Sequence, residues 1–255
     1  MVAMTDVYVT IDAPALVPAS YGLFSVAPAS APADPHWALG VRWLAGAGCV
    51  QAHPTIDECI TGTTPGALLL DDSYCNWYGT KPFSVYVLGH RSGPRSVDVA
   101  EAEISGALQA AEERAVEERL WQELTAATPG GTVSAYSTAL EALAHVQWWL
   151  GQLYNGRGVV HMSRFTATLL SAHLFPLGSQ LQTRLGTPVV AGAGYDTADV
   201  PTTQTILGTG AVVVNRGTID TSAQGMNREI NDYTVLAQRP YAVGWDCTVV
   251  KATVS

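Results

Sequence analysis

Val97-Asp-Val-Ala-Glu-Ala-Glu-Ile-Ser-Gly-Ala-Leu-Gln-Ala-Ala-Glu-Glu-Arg-Ala-Val-Glu-Glu-Arg-Leu-Trp-Gln-Glu-Leu-Thr-Ala-Ala127 is the stretch that decides the fold. It has no proline and a single glycine, Gly106, and it is rich in Ala, Glu, Leu and Arg, all favourable in helices. Ile104, Leu108, Ala111, Ala115, Leu120 and Leu124 recur every three to five residues, near the helical period, while Glu101, Glu103, Glu113, Glu117 and Glu123 fall on other faces. Arg114 with Glu118 and Arg119 with Glu123 are i,i+4 pairs. The sequence therefore predicts one helix over 97–127, about 45 Å long at ~1.5 Å per residue, ended by Pro129-Gly130-Gly131. Mean helices run ~11–12 residues, so this one must span its whole domain. With no His or Lys on it, the acidic face reads as a solvated or subunit-facing surface rather than paired catalytic carboxylates.

Before the helix, Pro82-Phe-Ser-Val-Tyr-Val-Leu88 reads as a strand. Residues 41–80 mix short strand pieces with Gly and Pro and carry Trp43, Tyr74, Trp77 and Tyr78, a long irregular or hairpin excursion. Ahead of that, prolines at 14, 18, 28, 32 and 35 follow the strand-like Val7, Val9, Ile11 run and predict an extended arm rather than a packed layer. After the helix, Thr138–Tyr154 predicts a second one, with Leu140, Leu143, Ala144, Leu150 and Tyr154 inward and Asn155-Gly156 as a left-handed cap. Gly158–Met162 reads as a buried strand, and Ser163 caps a third helix running to Leu174. Strands are expected at 183–190, 206–214, 233–237 and 242–254. The order gives an α+β architecture with no βαβ repeat.

At 255 residues the chain is long enough to bury its own core. Charged residues make up only 14%, against about 25% in ordinary soluble domains, and 22 acids over 13 bases give a net charge of −9. That balance argues against a phosphate-gripping nucleic-acid binder and against a polybasic membrane anchor. No signal peptide or membrane-spanning segment is expected. A surface so poor in charge is what a chain covered by other subunits would have.

Chemistry is sparse. Cys49, His53, Cys59 and Cys75 could in principle hold zinc, as a zinc hydrolase would, but no pair has the C-x2-C clip, and the plainer reading is buried or idle thiols. Gly192-Ala-Gly194 follows a strand without the helix and third glycine of a dinucleotide turn. Asp71-Asp72 lacks an EF-hand loop. His161 sits in an apolar strand and reads as a hydrogen-bonded core residue. No catalytic, cofactor or metal residue is assigned, which favours a structural or assembly protein over an enzyme.

Several stretches carry a family likeness. Pro82–Val87 followed by Glu113-Arg-Ala-Val-Glu-Glu-Arg-Leu-Trp121, then Gly158–Leu170, Thr183–Tyr195, Gly208–Val214 and Tyr241–Cys247, resemble in order the major capsid proteins of tailed bacteriophages, particularly those of actinobacterial hosts. The likeness covers about residues 82–255 and, less fully, 37–80. It implies the tailed-phage major capsid fold: an N-terminal arm (1–36), an extended β-hairpin loop over a neighbouring subunit (37–80), a peripheral domain (81–131) with a spine helix at 97–127, an axial domain around five- and six-fold axes (132–232), and final strands returning to the peripheral domain (233–255).

It further implies a structural protein of the virion, made in the host cytoplasm, that self-assembles as pentamers and hexamers into an icosahedral shell around double-stranded DNA, with no cofactor. A capsid paralogue, scaffolding, portal or decoration protein would be further partners. Inter-subunit contacts are expected at Trp43, Trp77, Tyr78, Glu113 and Glu117. With only Lys81 and Lys251 as lysines, lysine–asparagine cross-linking is not expected. An encapsulin-type nanocompartment shell, or a head-decoration or tail protein, is the alternative within the structural class.

Overall fold

The computed structural model describes residues 19–44, 77–92, 96–127, 134–195, 204–227, 232–247 and 249–254. A short helix α1 (Leu23–Val26) precedes a two-stranded ribbon of β1 (Val41–Leu44) and β2 (Trp77–Thr80), then β3 (Phe83–Ser92) and the long helix α2 (Val97–Ala127). There follow β4 (Ser134–Tyr136), α3 (Ala139–Leu153), β5 (Val159–Ser163), α4 (Arg164–Leu169), β6 (Leu174–Leu177), β7 (Gln180–Thr183) and β8 (Pro188–Gly192). The chain ends with β9 (Gln204–Thr209), β10 (Val212–Arg216), β11 (Asp220–Asn227), β12 (Asp232–Trp245) and β13 (Val249–Val254).

Two larger sheets share the strands. In the first, β12 is the central lane, with β3 antiparallel on one side and β10 followed by β11 along the other. The second has seven strands in the order β4-β13-β9-β5-β8-β7-β6. Strand β5 lies parallel to β8 through a connection containing α4, β4 lies parallel to β13, and the other four pairings of the sheet are antiparallel. The last two strands divide between the sheets: β12 pairs with β3, but β13 joins β4 and β9, so the expected return of all residues 233–255 to one sheet is corrected.

Helix α2 bridges both sheets, and its buried stripe differs from the one expected. Ala100, Ile104, Leu108, Glu112, Val116, Leu120 and Leu124 are buried, whereas Ala111 is exposed. That spacing is four throughout, which overshoots the helical repeat by about 40° per step at ~3.6 residues per turn. The buried line therefore winds around the helix. Ile104 lies under Gly89 of the first sheet, while near the other end Trp121 stacks on Tyr195 at 4.8 Å, beyond the end of β8.

Helix α3 covers one face of the seven-stranded sheet with Ala142, Leu143, Val146 and Leu150 against Val160, Met162, Ile206, Val250 and Ala252. Its N-terminus is closed by a capping box, Thr138 Oγ1 accepting from Glu141 N–H and Glu141 accepting from Thr138 N–H. Leu140 and Ala144, expected inward, are exposed. The helix ends on Tyr154 in extended backbone, so the Asn155-Gly156 left-handed cap is also corrected.

The third helix stops at Leu169 rather than running on to Leu174, and Pro176 lies inside the edge strand β6, where a missing N–H is tolerated. The 183–190 strand is interrupted by a turn with Gly186 at φ 81°. Strand β11, in a Thr/Ser/Gln-rich stretch, was not expected from hydropathy.

Candidate functional site

In the middle of α2, Glu112, Glu113 and Glu117 meet three different parts of the chain. Glu117 is 1% exposed. One of its oxygens accepts from the Leu23 N–H at 2.9 Å and the other from the Gly194 N–H at 2.9 Å. Glu113, one turn earlier, accepts from the Phe24 N–H at 2.8 Å. These two carboxylates thus close the N-terminus of α1, whose first N–H groups have no partner within so short a helix.

Two glycines make the approach possible. A Cβ on Gly22 would overlap the Glu113 carboxylate, and one on Gly194 would overlap the Arg114 carbonyl and the Glu118 amide of the α2 backbone. Gly192-Ala-Gly194 is therefore a close-packing turn and not a dinucleotide loop. Substituting Gly194→Ala is expected to destabilise the protein by about 1–3 kcal/mol, the cost of overpacking against backbone that cannot step aside. A urea denaturation curve reads this as a lower midpoint with an unchanged slope.

Burial raises the pKa of Glu117 above the usual carboxylate range. The N–H groups of Gly194 and Leu23 oppose this, the charge of Glu113 adds to it, and burial outweighs the hydrogen bonds. Glu113 is likewise raised, mainly by burial, against the Phe24 N–H and the nearby Arg164. Glu113 and Glu117 were expected to face a neighbouring subunit. Glu117 is instead buried and spent on the chain's own Leu23 and Gly194, while the half-buried Glu113 holds the Phe24 N–H.

The same interactions correct, for residues 20–30, the expectation of an extended arm rather than a packed layer. Residues 20–30 form a packed strap: Tyr21 N–H donates to the Ser179 carbonyl, and its own carbonyl accepts from Ala191 N–H. Leu23 is fully buried in the core. Further on, Ser30 bridges to Asn215 on the outer side of β10, its N–H donating to the Val214 carbonyl and its carbonyl accepting from the Arg216 N–H. One short segment thus ties the far end of the seven-stranded sheet, the long helix and the edge of the other sheet. Proline blocks helix and central strand in such a segment but does not stop it from packing.

Glu112 lies 5% exposed on the opposite flank of the helix and holds Arg239 of β12 through two contacts of 2.7 and 2.9 Å, with Arg216 of β10 at 3.3 Å. Beneath the strap a buried polar chain runs from Thr209 to His161 to Tyr195, with contacts of 2.9 Å each. Thr209 gives its hydroxyl proton to the Gly210 carbonyl, so it accepts from His161 Nε2–H. Nδ1 is then left to accept from Tyr195 O–H. Burial pushes the His161 pKa down to about 3. The imidazole is neutral, both nitrogens are satisfied, and it fits the core role expected of it.

Trp43, Trp77 and Tyr78 are brought to one place, the base of the β1–β2 ribbon, where Trp43 stands opposite Tyr78 and Leu44 opposite Trp77. The Trp43 ring lies over Gly244 of β12 and is partly covered by its own chain. Cys49, His53, Cys59, Cys75 and Asp71-Asp72 lie outside the described residues. Cys247 is disulfide-bonded. No signal in the sequence singled out Glu112 with Arg239, since the two are 127 residues apart.

No family model matches the chain, and no curated protein matches it. Solved structures do. The capsid of an empty GTA particle superposes with a TM-score of 0.55 at 12% identity, over 98% of this chain and 94% of that one. A structure of Mycobacterium phage Ogopogo gives 0.53 at 13% identity over 97% and 95%, and the capsid of Ralstonia phage GP4 gives 0.52 at 13% over 98% and 95%. Coverage is near-complete in both directions, and the chain has the fold of these phage and capsid structures.

Proposed function

We propose that this chain is the major capsid subunit of a tailed phage, many copies of which build an icosahedral shell around packaged double-stranded DNA. The observation that carries the reading is the fold correspondence with capsid structures along almost the whole of both chains. The surface supports it: Leu39, Leu185, Tyr86 and Leu88 are all more than half exposed, an apolar cost that burial between subunits would recover.

On this reading the first sheet with α2 is the peripheral domain, the seven-stranded sheet is the core of the axial domain, and residues 37–80 reach over a neighbour. Trp43, Trp77 and Tyr78 stand at the base of that reach and meet the adjacent subunit. The acidic chain suits a wall facing DNA, which a like-charged surface does not immobilise. The role is structural, with no reaction assigned. Its place is the virion, and its partners are its own copies in pentamers and hexamers.

Sedimentation velocity with light scattering tests this, on the chain alone and with a scaffolding protein. Large closed species of uniform size are the expected result. A stable monomer under every condition would count against it.

A further inference from the structure

We propose that Cys247 is one half of a redox clasp: its disulfide runs to a cysteine between β1 and β2 and ties that part of the chain to the corner where β12 passes into β13. The clasp closes on oxidation and opens on reduction. It stands on the geometry of this corner and does not rest on the shell reading.

Cys247 is disulfide-bonded, and a bond within one chain needs a second cysteine of that chain. The others are Cys49, Cys59 and Cys75, all of which lie in sequence between Leu44, the end of β1, and Trp77, the start of β2. The ribbon brings both of those residues to the corner. Leu44 and Trp77 stand opposite each other, and the neighbouring Trp43 ring lies over Gly244, where a Cβ would overlap it. Val41 and Trp43 share a cavity of about 380 Å³ with Asp246, the residue before Cys247. A disulfide holds its two Cα atoms ~4.4–6.8 Å apart. Cys75 stands two residues from Trp77 and Cys49 five from Leu44, so at most about 7 and 18 Å of chain separate them from the paired residues.

The backbone gives a second, independent sign. Among the described residues only Tyr21 and Cys247 are non-glycine residues with positive φ, and Cys247 has φ 56°. Glycine would take this left-handed turn without the cost of a Cβ. The turn is held all the same, the Asp246 N–H donating to the Ala211 carbonyl at 2.9 Å, and a strained position kept in this way points to use of its side chain. Cys247 is half-buried, so an oxidant reaches it. Closing the clasp breaks two S–H bonds and forms one S–S bond. Dioxygen takes up the two electrons and both protons and leaves as hydrogen peroxide. Reducing compartments keep such thiols open, so the clasp closes only where an oxidant is present.

Peptide mapping tests it on wild type treated with dioxygen, alkylated in denaturant and cut with trypsin, which spares Lys81–Pro82 and Arg239–Pro240. Peptides 43–91 and 229–251 hold all four cysteines and are expected to appear linked, from a chain that runs as a monomer on a non-reducing gel, and to separate with dithiothreitol. An alkylated Cys247 after oxidation, or a Cys247 bond between two copies, would overturn the clasp. Thermal unfolding gives the second readout. Oxidised wild type is expected to melt about 5–15 °C above the reduced form, because the bond closes a loop of roughly 170–200 residues, and Cys247→Ser is expected to ignore the reductant. Equal midpoints for the two wild-type forms, or a variant as sensitive to reductant as wild type, would count against it. The peptide map needs no variant, so it decides even if Cys247→Ser fails to fold. Neither readout requires assembly, so a failure of the shell reading leaves this result legible.

Discussion

Replacing Glu112 with alanine is expected to lower the unfolding free energy by about 3–5 kcal/mol, the cost of leaving a buried charge without its partner. The Arg239 side chain is 12% exposed, and its Nη1 donates to both oxygens of Glu112, so removing the acid strands a guanidinium between α2 and the central lane of the first sheet. Whole domains have only ~5–15 kcal/mol of stability. The variant should therefore show a large fall in urea midpoint and a poor yield of soluble protein. The pair itself need not be stabilising relative to an apolar pair: Glu112→Met/Arg239→Met together is expected to recover most of the loss. A double variant as unstable as Glu112→Ala would show that the guanidinium acts through contacts other than this carboxylate.

The second large effect is at Glu117, where Glu117→Gln keeps the shape but turns one of two acceptor oxygens into an N–H donor. Either Leu23 or Gly194 then faces a donor in a buried site, an expected loss of about 1–3 kcal/mol. This substitution also isolates a pH dependence. The native pKa of Glu117 is raised above its ordinary 4.5. Its contribution to stability is thus fully present below about 4.5 and is lost as pH rises through the native value.

His161 has the opposite sign. Its native pKa of about 3 lies below the ordinary 6.5, so its contribution is present above 6.5 and is lost as pH falls. Wild type and Glu117→Gln share the His161 term, so their difference in unfolding free energy reports Glu117 with its coupling to Glu113. That difference is expected to be larger at pH 4.5 than at pH 8. A difference that grows with pH would mean that the N–H groups of Leu23 and Gly194, and not burial, dominate at this carboxylate.

The long helix was legible because its length, composition and terminator agree over 31 residues. Helix α3 was legible at its N-terminus because Thr138 and Glu141 form a local capping box. What the sequence concealed is non-local. The buried side of α2 follows a spacing of four, so it winds across faces that a fixed stripe would assign to solvent, and it takes Glu112 and Glu117 inside with it. Their partners, Arg239, Leu23 and Gly194, are distant along the chain, and no local pattern marks them.

Residues 20–30 lie within the Pro-rich stretch 14–35, which reads as an extended arm rather than a packed layer because proline blocks helix and central strand. Their packing depends on backbone groups meeting side chains of α2 and edges of two sheets. Similarly, β11 has too few apolar residues to show a strand period, and it is placed by pairing with β12. For the site, the sequence located Trp43, Trp77 and Tyr78 at one excursion, and the backbone register joins them. It placed Glu113 and Glu117 on an outer surface because an acidic helix face is ordinarily solvated.

Electron cryomicroscopy of particles from cells producing this chain tests the central claim most directly. The account predicts closed icosahedral shells whose repeating unit contains α2 bridging the two sheets, with residues 20–30 strapped across Glu113 and Glu117. A chain found only as a monomer, or as a protrusion on a shell built from another protein, would contradict it.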